Sequence, residues 1–74
     1  HWLFREEAMT VNEFIISRRL QGCREELINP ETAHRHVSQI AYAWGFANLS
    51  HFSKRYRAQF GESPTETRRT AFCA

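Results

Sequence analysis

Cysteine, proline and glycine are scarce in this sequence of 74 residues, which has two cysteines, two prolines and three glycines. Cys23 and Cys73 form no CxxC pair, so they do not indicate a zinc knuckle or a thioredoxin-like redox site. Cys23 lies on an apolar helical stripe and is expected to act as a small core residue, although a disulfide between the two cysteines stays open. The chain also lacks the apolar–polar alternation of strands, so an all-α fold is expected.

Long hydrophobic runs are missing as well. No segment approaches the roughly 20 apolar residues of a membrane span and no signal peptide is visible, so we expect a cytoplasmic protein with no membrane partner. Neither paired carboxylates in an evident pocket nor a Ser/His/Asp arrangement points to an enzyme. His34, His36 and His51 could combine with Cys73 as zinc ligands, but two histidines two residues apart in a loop are weak evidence. We therefore expect no catalysis, no metal and no cofactor.

A large excess of one charge is also absent, because the formal net charge is only +2. The charges are nevertheless distributed unevenly along the chain. Residues 5–31 contain six glutamates and four arginines, whereas residues 35–69 contain six basic residues and two glutamates. This bias predicts a basic surface formed by the second half of the chain. A solvated surface explains such a bias about as well as a surface that binds an anionic partner.

The spacing of apolar residues predicts four helices. Thr10 and Glu13 form a capping-box pattern before the first helix, which is expected over residues 11–28. It ends before Pro30, because a proline pushes the preceding residue out of the helical region. A linker then covers about residues 30–35. The later helices are expected over residues 37–44, 49–60 and 64–70.

The strongest functional pattern is a short helix, a glycine turn and an amphipathic second helix. Ala41 is small enough to let the two helices approach, and Gly45 permits the sharp turn between them. The second helix has an apolar stripe that would dock it and an opposite polar face that would stay free. This arrangement is typical of a helix-turn-helix, whose second helix enters the major groove of DNA, but it also fits an ordinary helical hairpin. The expected core of this unit consists of Ile40, Ala41, Trp44, Gly45, Phe46, Phe52, Tyr56 and Phe60.

The free face of the second helix carries the side chains that we expect to contact DNA. Ser50, Ser53 and Lys54 are expected at base edges, because lysine donates to guanine acceptors and serine donates or accepts. Other cations and hydrogen-bond donors are expected to bind phosphates and so supply affinity rather than sequence choice. These backbone-contacting residues are Arg35, His51, Arg55, Arg57 and Ser63.

Three segments together resemble the signature of the AraC/XylS family of transcription regulators. They are residues 36–46 (HVSQIAYAWGF), 48–54 (NLSHFSK) and 60–64 (FGESP). The chain matches the family pattern I-A-x-x-x-G-F, followed by F-x-(K/R)-x-(F/Y) and (F/Y)-G-x-S-P, nearly throughout. Thr67 departs from it, because an aromatic residue usually stands there, and we expect the last helix to be looser as a result.

The resemblance implies an all-α DNA-binding domain in which a linker helix joins two helix-turn-helix units. It assigns residues 1–9 to the tail of the first recognition helix and residues 10–29 to the linker helix. Residues 30–74 would form the second unit, homeodomain-like, with a short last helix. Because most of the first unit is missing, we expect a fragment of a longer protein that also carries an effector-binding domain. The implied partners are double-stranded DNA and RNA polymerase, and the implied role is transcription activation.

A helical protein-interaction module is the alternative function. Such a module would contact RNA polymerase or another regulator domain through the same fold. Three basic residues distinguish the two hypotheses, because they matter for binding DNA and need not matter for a protein partner. They are Lys54, Arg55 and Arg57.

Overall fold

The computed structural model describes residues 10–72 of the chain and shows no strand among them, which confirms the expected all-α class. None of the helices in this part of the chain is long and apolar enough to cross a membrane. The assigned recognition-helix tail at residues 1–9 lies outside the described residues, as does Cys73. The helices are α1 (Val11–Leu27), α2 (Val37–Ala43), α3 (Leu49–Phe60) and α4 (Pro64–Phe72), with a 3₁₀ turn at Pro30–Thr32 between α1 and α2.

The start of α1 is the capping box that the sequence predicts. The N–H of Glu13 donates to Oγ1 of Thr10 at 3.0 Å, and the N–H of Thr10 donates to Oε1 of Glu13 at 3.1 Å. These bonds satisfy two backbone donors that a helix start would otherwise leave unpaired. After the other end of α1, Oδ1 of Asn29 accepts the N–H of Glu31 at 2.9 Å and caps the 3₁₀ turn that follows. This turn lies in the segment that was expected to be a linker.

The turn between α2 and α3 is built on a left-handed glycine. Gly45 has φ +95°, and its N–H donates to the carbonyl of Tyr42 at 3.0 Å. The N–H of Phe46 donates to the carbonyl of Ala41, also at 3.0 Å, which completes a Schellman motif. Asn48 then caps the first turn of α3 with its side chain. The sharp glycine turn predicted from the sequence is confirmed.

The core lies where α1 packs against α2 and α4, and where α3 packs against the same two helices. The ring of Phe52 connects to Phe46 at a centroid distance of 5.0 Å and to Tyr56 at 5.8 Å. Tilted aromatic pairs at such distances add to the free energy gained by burial. This ring contact fixes α3 on one side and leaves its opposite side to solvent. The buried apolar side chains are Leu20, Cys23, Leu27, Ile40, Ala41, Phe46, Phe52 and Tyr56.

Three predicted core residues are less buried than expected. Trp44 is 36% exposed, because its ring lies at the edge of the core over Gly22 and its indole N–H donates to Glu26 at 2.9 Å. Gly45 is exposed, because its function in the fold is the left-handed backbone rather than packing. The assignment of these two residues to the core was wrong. Phe60 is half-buried and packs against the core from the end of α3.

Thr67 holds the last helix in place, so the expectation that this residue loosens it was wrong. It is 3% exposed, and its hydroxyl accepts the hydroxyl hydrogen of Tyr56 at 2.8 Å and donates to Glu62 at 2.5 Å. A buried hydrogen bond therefore stands where the family pattern places aromatic packing. The helix continues to Phe72, two residues beyond the predicted end.

Arg68 closes the loop between α1 and α2 from the side of α4. Its Nε donates to the carbonyl of Leu27 at 3.4 Å and its Nη2 to the carbonyl of Thr32 at 3.2 Å. Its Nη1 donates to the carbonyl of Arg35. Because this guanidinium is used within the fold, Arg68 contributes less to the basic surface than the sequence count implied.

Candidate nucleic-acid interface

The side of α3 that faces away from the core carries the residues predicted to read bases. Ser50, Ser53, Lys54 and Arg57 are all exposed. At 3.6 residues per turn, their positions fall within an arc of about 100° around the helix axis. The structure therefore brings the three predicted base-contacting residues onto one exposed stripe, together with one predicted phosphate contact.

Lys54 is one of the two cations of this stripe and lies at one edge of it. Within residues 10–72 its ammonium group takes part in no ion pair. A lysine in this position, exposed and on a helix held by buried rings, can donate to an acceptor on a partner without breaking a bond inside the described fold.

The predicted backbone-contacting residues fall into three segments. His51 and Arg57 are exposed on α3, and Arg55 is half-buried on the same helix. Arg35 is exposed in the loop before α2, and Ser63 is half-buried where α4 begins. Arg57 belongs to the stripe, and His51 and Arg55 lie to one side of it on the same helix. The other two residues belong to segments next to α2 and α4, the helices that pack on α3.

Arg57 is paired across helices with Glu66 of α4. Its Nη1 lies 3.6 Å from Oε1 of Glu66, and both side chains are well exposed at 64% and 47%. The hydrogen bond from the Ser63 N–H, together with the charge of Arg57, lowers the pKa of Glu66, so this carboxylate is ionised at neutral pH. Ion pairs between exposed side chains are weak because water and salt screen them, so Arg57 can exchange its partner.

Ser63 forms a second capping box with Glu66. The N–H of Ser63 donates to Oε1 of Glu66 at 2.8 Å, and the N–H of Glu66 donates to Oγ of Ser63 at 3.1 Å. Ser63 therefore caps the start of α4. Two N–H groups at this helix start are thus used internally, and contact between Ser63 and a phosphate stays a prediction.

Glu26 connects the loop before α2 with the turn after it. Its Oε1 lies 3.7 Å from Nη1 of Arg35, and its Oε2 accepts the indole N–H of Trp44 at 2.9 Å. No local pattern in the sequence marks Glu26 as part of this region, because 18 positions separate it from Trp44. The contact holds Arg35 beside the helix-turn-helix, so Glu26 influences one predicted phosphate contact.

No set of three or more potential metal-ligating side chains comes together within residues 10–72. His34, His36 and His51 are each exposed in separate parts of this region: the loop before α2, the start of α2, and the first turn of α3.

Comparison with known proteins agrees with this geometry. A family model described as a helix-turn-helix domain matches residues 1–70. The transcriptional activator RhrA of Rhizobium meliloti is 37% identical over 71 residues, which cover 96% of this chain and 22% of RhrA. The XylDLEGF operon transcriptional activator 2 of Pseudomonas putida is 38% identical over 58 residues, covering 78% of this chain and 37% of that protein. The transcriptional activator NphR of a Rhodococcus species is 36% identical over 64 residues, which cover 86% of this chain and 18% of NphR.

The chain thus spans from under a fifth to somewhat over a third of the length of these relatives. No solved structure matches it. The family model covers nearly the whole chain, and the chain is 36–38% identical to these three relatives over the matched residues. The chain belongs to the family of helix-turn-helix domains of the AraC/XylS type.

Proposed function

We propose that this chain binds double-stranded DNA sequence-specifically, as part of the DNA-binding domain of a bacterial transcription activator. The observation that carries the proposal is the exposed stripe of Ser50, Ser53, Lys54 and Arg57 on a helix whose other side is buried. A helix of this kind fits the major groove, which is about 12 Å wide. Helix α3 would be the recognition helix, and α2 would cross the DNA backbone.

The proposed contacts follow from the chemistry of each side chain. Lys54 donates to guanine acceptors, and Ser50 and Ser53 add modest discrimination because a hydroxyl both donates and accepts. The phosphate contacts supply affinity that depends on salt but not on sequence. We assign these to Arg35, His51, Arg55, Arg57 and Ser63.

We further propose that α1 is the linker helix of a two-unit domain, within residues 10–29, and that residues 30–74 form the second unit. In support, α1 begins at its own capping box and also supplies Leu20, Cys23 and Leu27 to the core. Residues 1–9 would be the tail of the first recognition helix. The whole protein would carry an effector-binding domain and act in the cytoplasm, where bacterial DNA is found.

The first test replaces Lys54 with alanine. Duplexes are first selected on the wild-type chain from a random-sequence pool, and affinities are then measured for selected and unselected duplexes. We expect Lys54→Ala to weaken binding to selected duplexes by about 1–3 kcal/mol and to affect unselected duplexes less. Arg18→Ala is the control, because it removes an exposed cation from α1 rather than α3. An equal loss on both kinds of duplex would make Lys54 a phosphate contact instead of a base reader.

The second test measures how the affinity for random duplex depends on salt. Each phosphate contact adds about 0.9 to the slope of log affinity against log salt concentration. We expect the wild-type slope to be steep and the slope of Lys54→Ala/Arg57→Ala to be flatter. Absence of binding by the wild-type chain at low salt would contradict the proposed function.

A protein-contact function is the second candidate, and a groove on α1, lined by apolar side chains together with charged ones such as Arg18 and Glu25, favours it. Phe14 and Ile15 are 53% and 41% exposed and line this groove together with Trp44. Exposed apolar patches commonly mark protein contacts, and for an activator the partner we propose is RNA polymerase. Phe14→Ser should weaken binding to purified RNA polymerase, whereas Val11→Ser, at an equally apolar position outside the groove, should not. No binding of polymerase by the wild-type chain would eliminate this candidate.

A further inference from the structure

One carboxylate oxygen of α4 contacts both a backbone donor and the proposed recognition helix. Oε1 of Glu66 accepts the N–H of Ser63 at 2.8 Å and lies 3.6 Å from Nη1 of Arg57. Arg57 shares the exposed side of α3 with Ser50 and Lys54. A guanidinium next to the proposed DNA surface therefore has an anionic oxygen of the protein itself beside it, within ion-pair range.

The capping box keeps this carboxylate in position. Glu66 is bonded in both directions to Ser63, so its side chain is already ordered before Arg57 approaches. An ion pair between two unrestrained side chains loses rotamer entropy on both, whereas here the loss falls mainly on the arginine. The pair is nevertheless open to solvent, with the two side chains 64% and 47% exposed, so a phosphate can reach the guanidinium.

We propose that Glu66 competes with DNA phosphates for Arg57 and thereby lowers the affinity of the chain for duplex DNA. This inference rests on the proposed DNA-binding function. A phosphate that binds Arg57 must either displace the carboxylate or lie close to its negative charge, and both cost free energy. Glu66 is in this sense a positioning residue, because it acts on DNA through the arginine. It would keep Arg57 from binding any phosphate backbone at full strength.

The structure offers a matched control for this idea. Glu13 occupies in the capping box of α1 the position that Glu66 occupies in the capping box of α4. Glutamine serves in either position, because its amide oxygen also accepts the N–H of the capping residue. Glu13→Gln and Glu66→Gln therefore remove the same charge from equivalent sites, and only the second site has an arginine of α3 within 4 Å.

The experiment measures affinity for a random duplex over a range of salt concentrations. We expect Glu66→Gln to raise the affinity about two- to fivefold at low salt, the range that an exposed ion pair supports. The salt dependence should steepen by up to about 0.9, equivalent to one additional phosphate contact. Glu13→Gln should leave both quantities close to those of the wild-type chain. In an Arg57→Gln background, Glu66→Gln should give no gain beyond that of Glu13→Gln.

The possible outcomes separate this inference from the proposed function. Equal gains for Glu66→Gln and Glu13→Gln would reduce the effect to net charge and overturn the inference. A gain for Glu66→Gln that persists in the Arg57→Gln background would also overturn it, because competition for that arginine would then not be the cause. Both results leave DNA binding intact. If the wild-type chain fails to bind duplex DNA at low salt, the proposed function fails and the inference fails with it.

Discussion

The indole ring of Trp44 lies directly against the backbone of Gly22. A Cβ atom at Gly22 would come within 2.4 Å of Cη2 of Trp44, closer than carbon atoms approach in folded proteins. Glycine within a helix costs about 1 kcal/mol relative to alanine, so its presence in α1 needs a reason. The reason is that the missing Cβ of Gly22 leaves space for the ring of Trp44, which follows α2. Trp44 can therefore pack on α1 and donate its indole N–H to Glu26.

Replacing Gly22 with alanine should therefore destabilise the protein. Overpacking costs about 1–3 kcal/mol, and the helix propensity of alanine returns about 1 kcal/mol, so we expect a net loss of about 1 kcal/mol in urea unfolding. Gln21→Ala, at an exposed neighbouring position, is the control and should change little. The fluorescence of Trp44 gives a second measurement, made in a Trp2→Phe background so that Trp44 is the only tryptophan. In that background Gly22→Ala should shift the emission of Trp44 to the red. A Gly22→Ala variant more stable than the wild-type chain would show that the ring does not need the gap.

The hydroxyl of Thr67 gives a second prediction, which concerns its hydrogen bond with Tyr56. Thr67→Val should cost about 1–3 kcal/mol, because the buried tyrosine hydroxyl loses the partner it has within the described fold. Tyr56→Phe should cost less, about 0.5–1.5 kcal/mol, since Thr67 still donates to Glu62. The double variant should cost less than the sum of the two. Simple additivity in thermal or urea unfolding would argue against a bond between these two hydroxyls.

Sequence signals located the ends of the helices because those signals are local. Thr10, Asn48 and Ser63 each cap a helix within three residues of themselves. Gly45 and Gly61 adopt the left-handed backbone at the ends of α2 and α3. Side-chain caps and C-terminal glycines act within one helical turn, so the groups that interact are close together in the sequence and can be identified from it.

Burial depth and contacts between helices could not be predicted in this way. Helical periodicity placed Trp44 on the correct face but gave no measure of how deeply it lies, which depends on Gly22, 22 residues earlier. The bonds of Arg68 reach carbonyls 33–41 residues away. For the candidate site, the α3 stripe followed from spacing, whereas the Arg57–Glu66 pair depends on how α4 packs on α3. Residue spacing therefore indicates which face of a helix a side chain lies on, whereas the residues it contacts on other helices depend on how the helices pack.

The Cys23 thiol predicts a loss of stability at alkaline pH. Burial, with a smaller contribution from the charge of Glu26, raises the pKa of this thiol from 9.0 to about 12. In the unfolded chain the thiol ionises near its ordinary pKa, so the folded state favours the neutral form. Its contribution to stability is complete below pH 9 and is lost as the pH rises toward 12, at about 1.4 kcal/mol per pH unit.

Urea unfolding at pH 7, 8, 9, 10 and 11 tests this effect with Cys23→Ala. The variant should show a flatter decline above pH 9 than the wild-type chain. Between pH 7 and 8 the two should change in parallel, which serves as the internal control. Burial also raises the pKa of Tyr56, so some decline above pH 10 should remain in the variant. Parallel curves up to pH 11 would mean that Cys23 ionises equally in the folded and unfolded chains.

The two left-handed glycines provide a final comparison between stability and DNA binding. Gly45 and Gly61 have φ values of +95° and +79°, where an L-residue costs roughly 1–2 kcal/mol. A Cβ at Gly61 would meet nothing within 4 Å, whereas a Cβ at Gly45 would lie 3.1 Å from Nη1 of Arg19. Both Gly45→Ala and Gly61→Ala should therefore lower the free energy of unfolding by about 1–2 kcal/mol, with the larger loss at Gly45.

Their effects on DNA affinity should differ more strongly. Gly45 forms the turn between α2 and α3, so a shift of this turn would tilt the stripe that carries Lys54 relative to α2, whereas Gly61 follows the proposed recognition helix. Affinity is compared at a temperature where both variants are folded, as judged by circular dichroism. We expect Gly45→Ala to lose affinity for selected duplexes and Gly61→Ala to retain most of it. If both variants bound equally well, the turn would be needed for folding alone, and the orientation of α3 would not depend on its geometry.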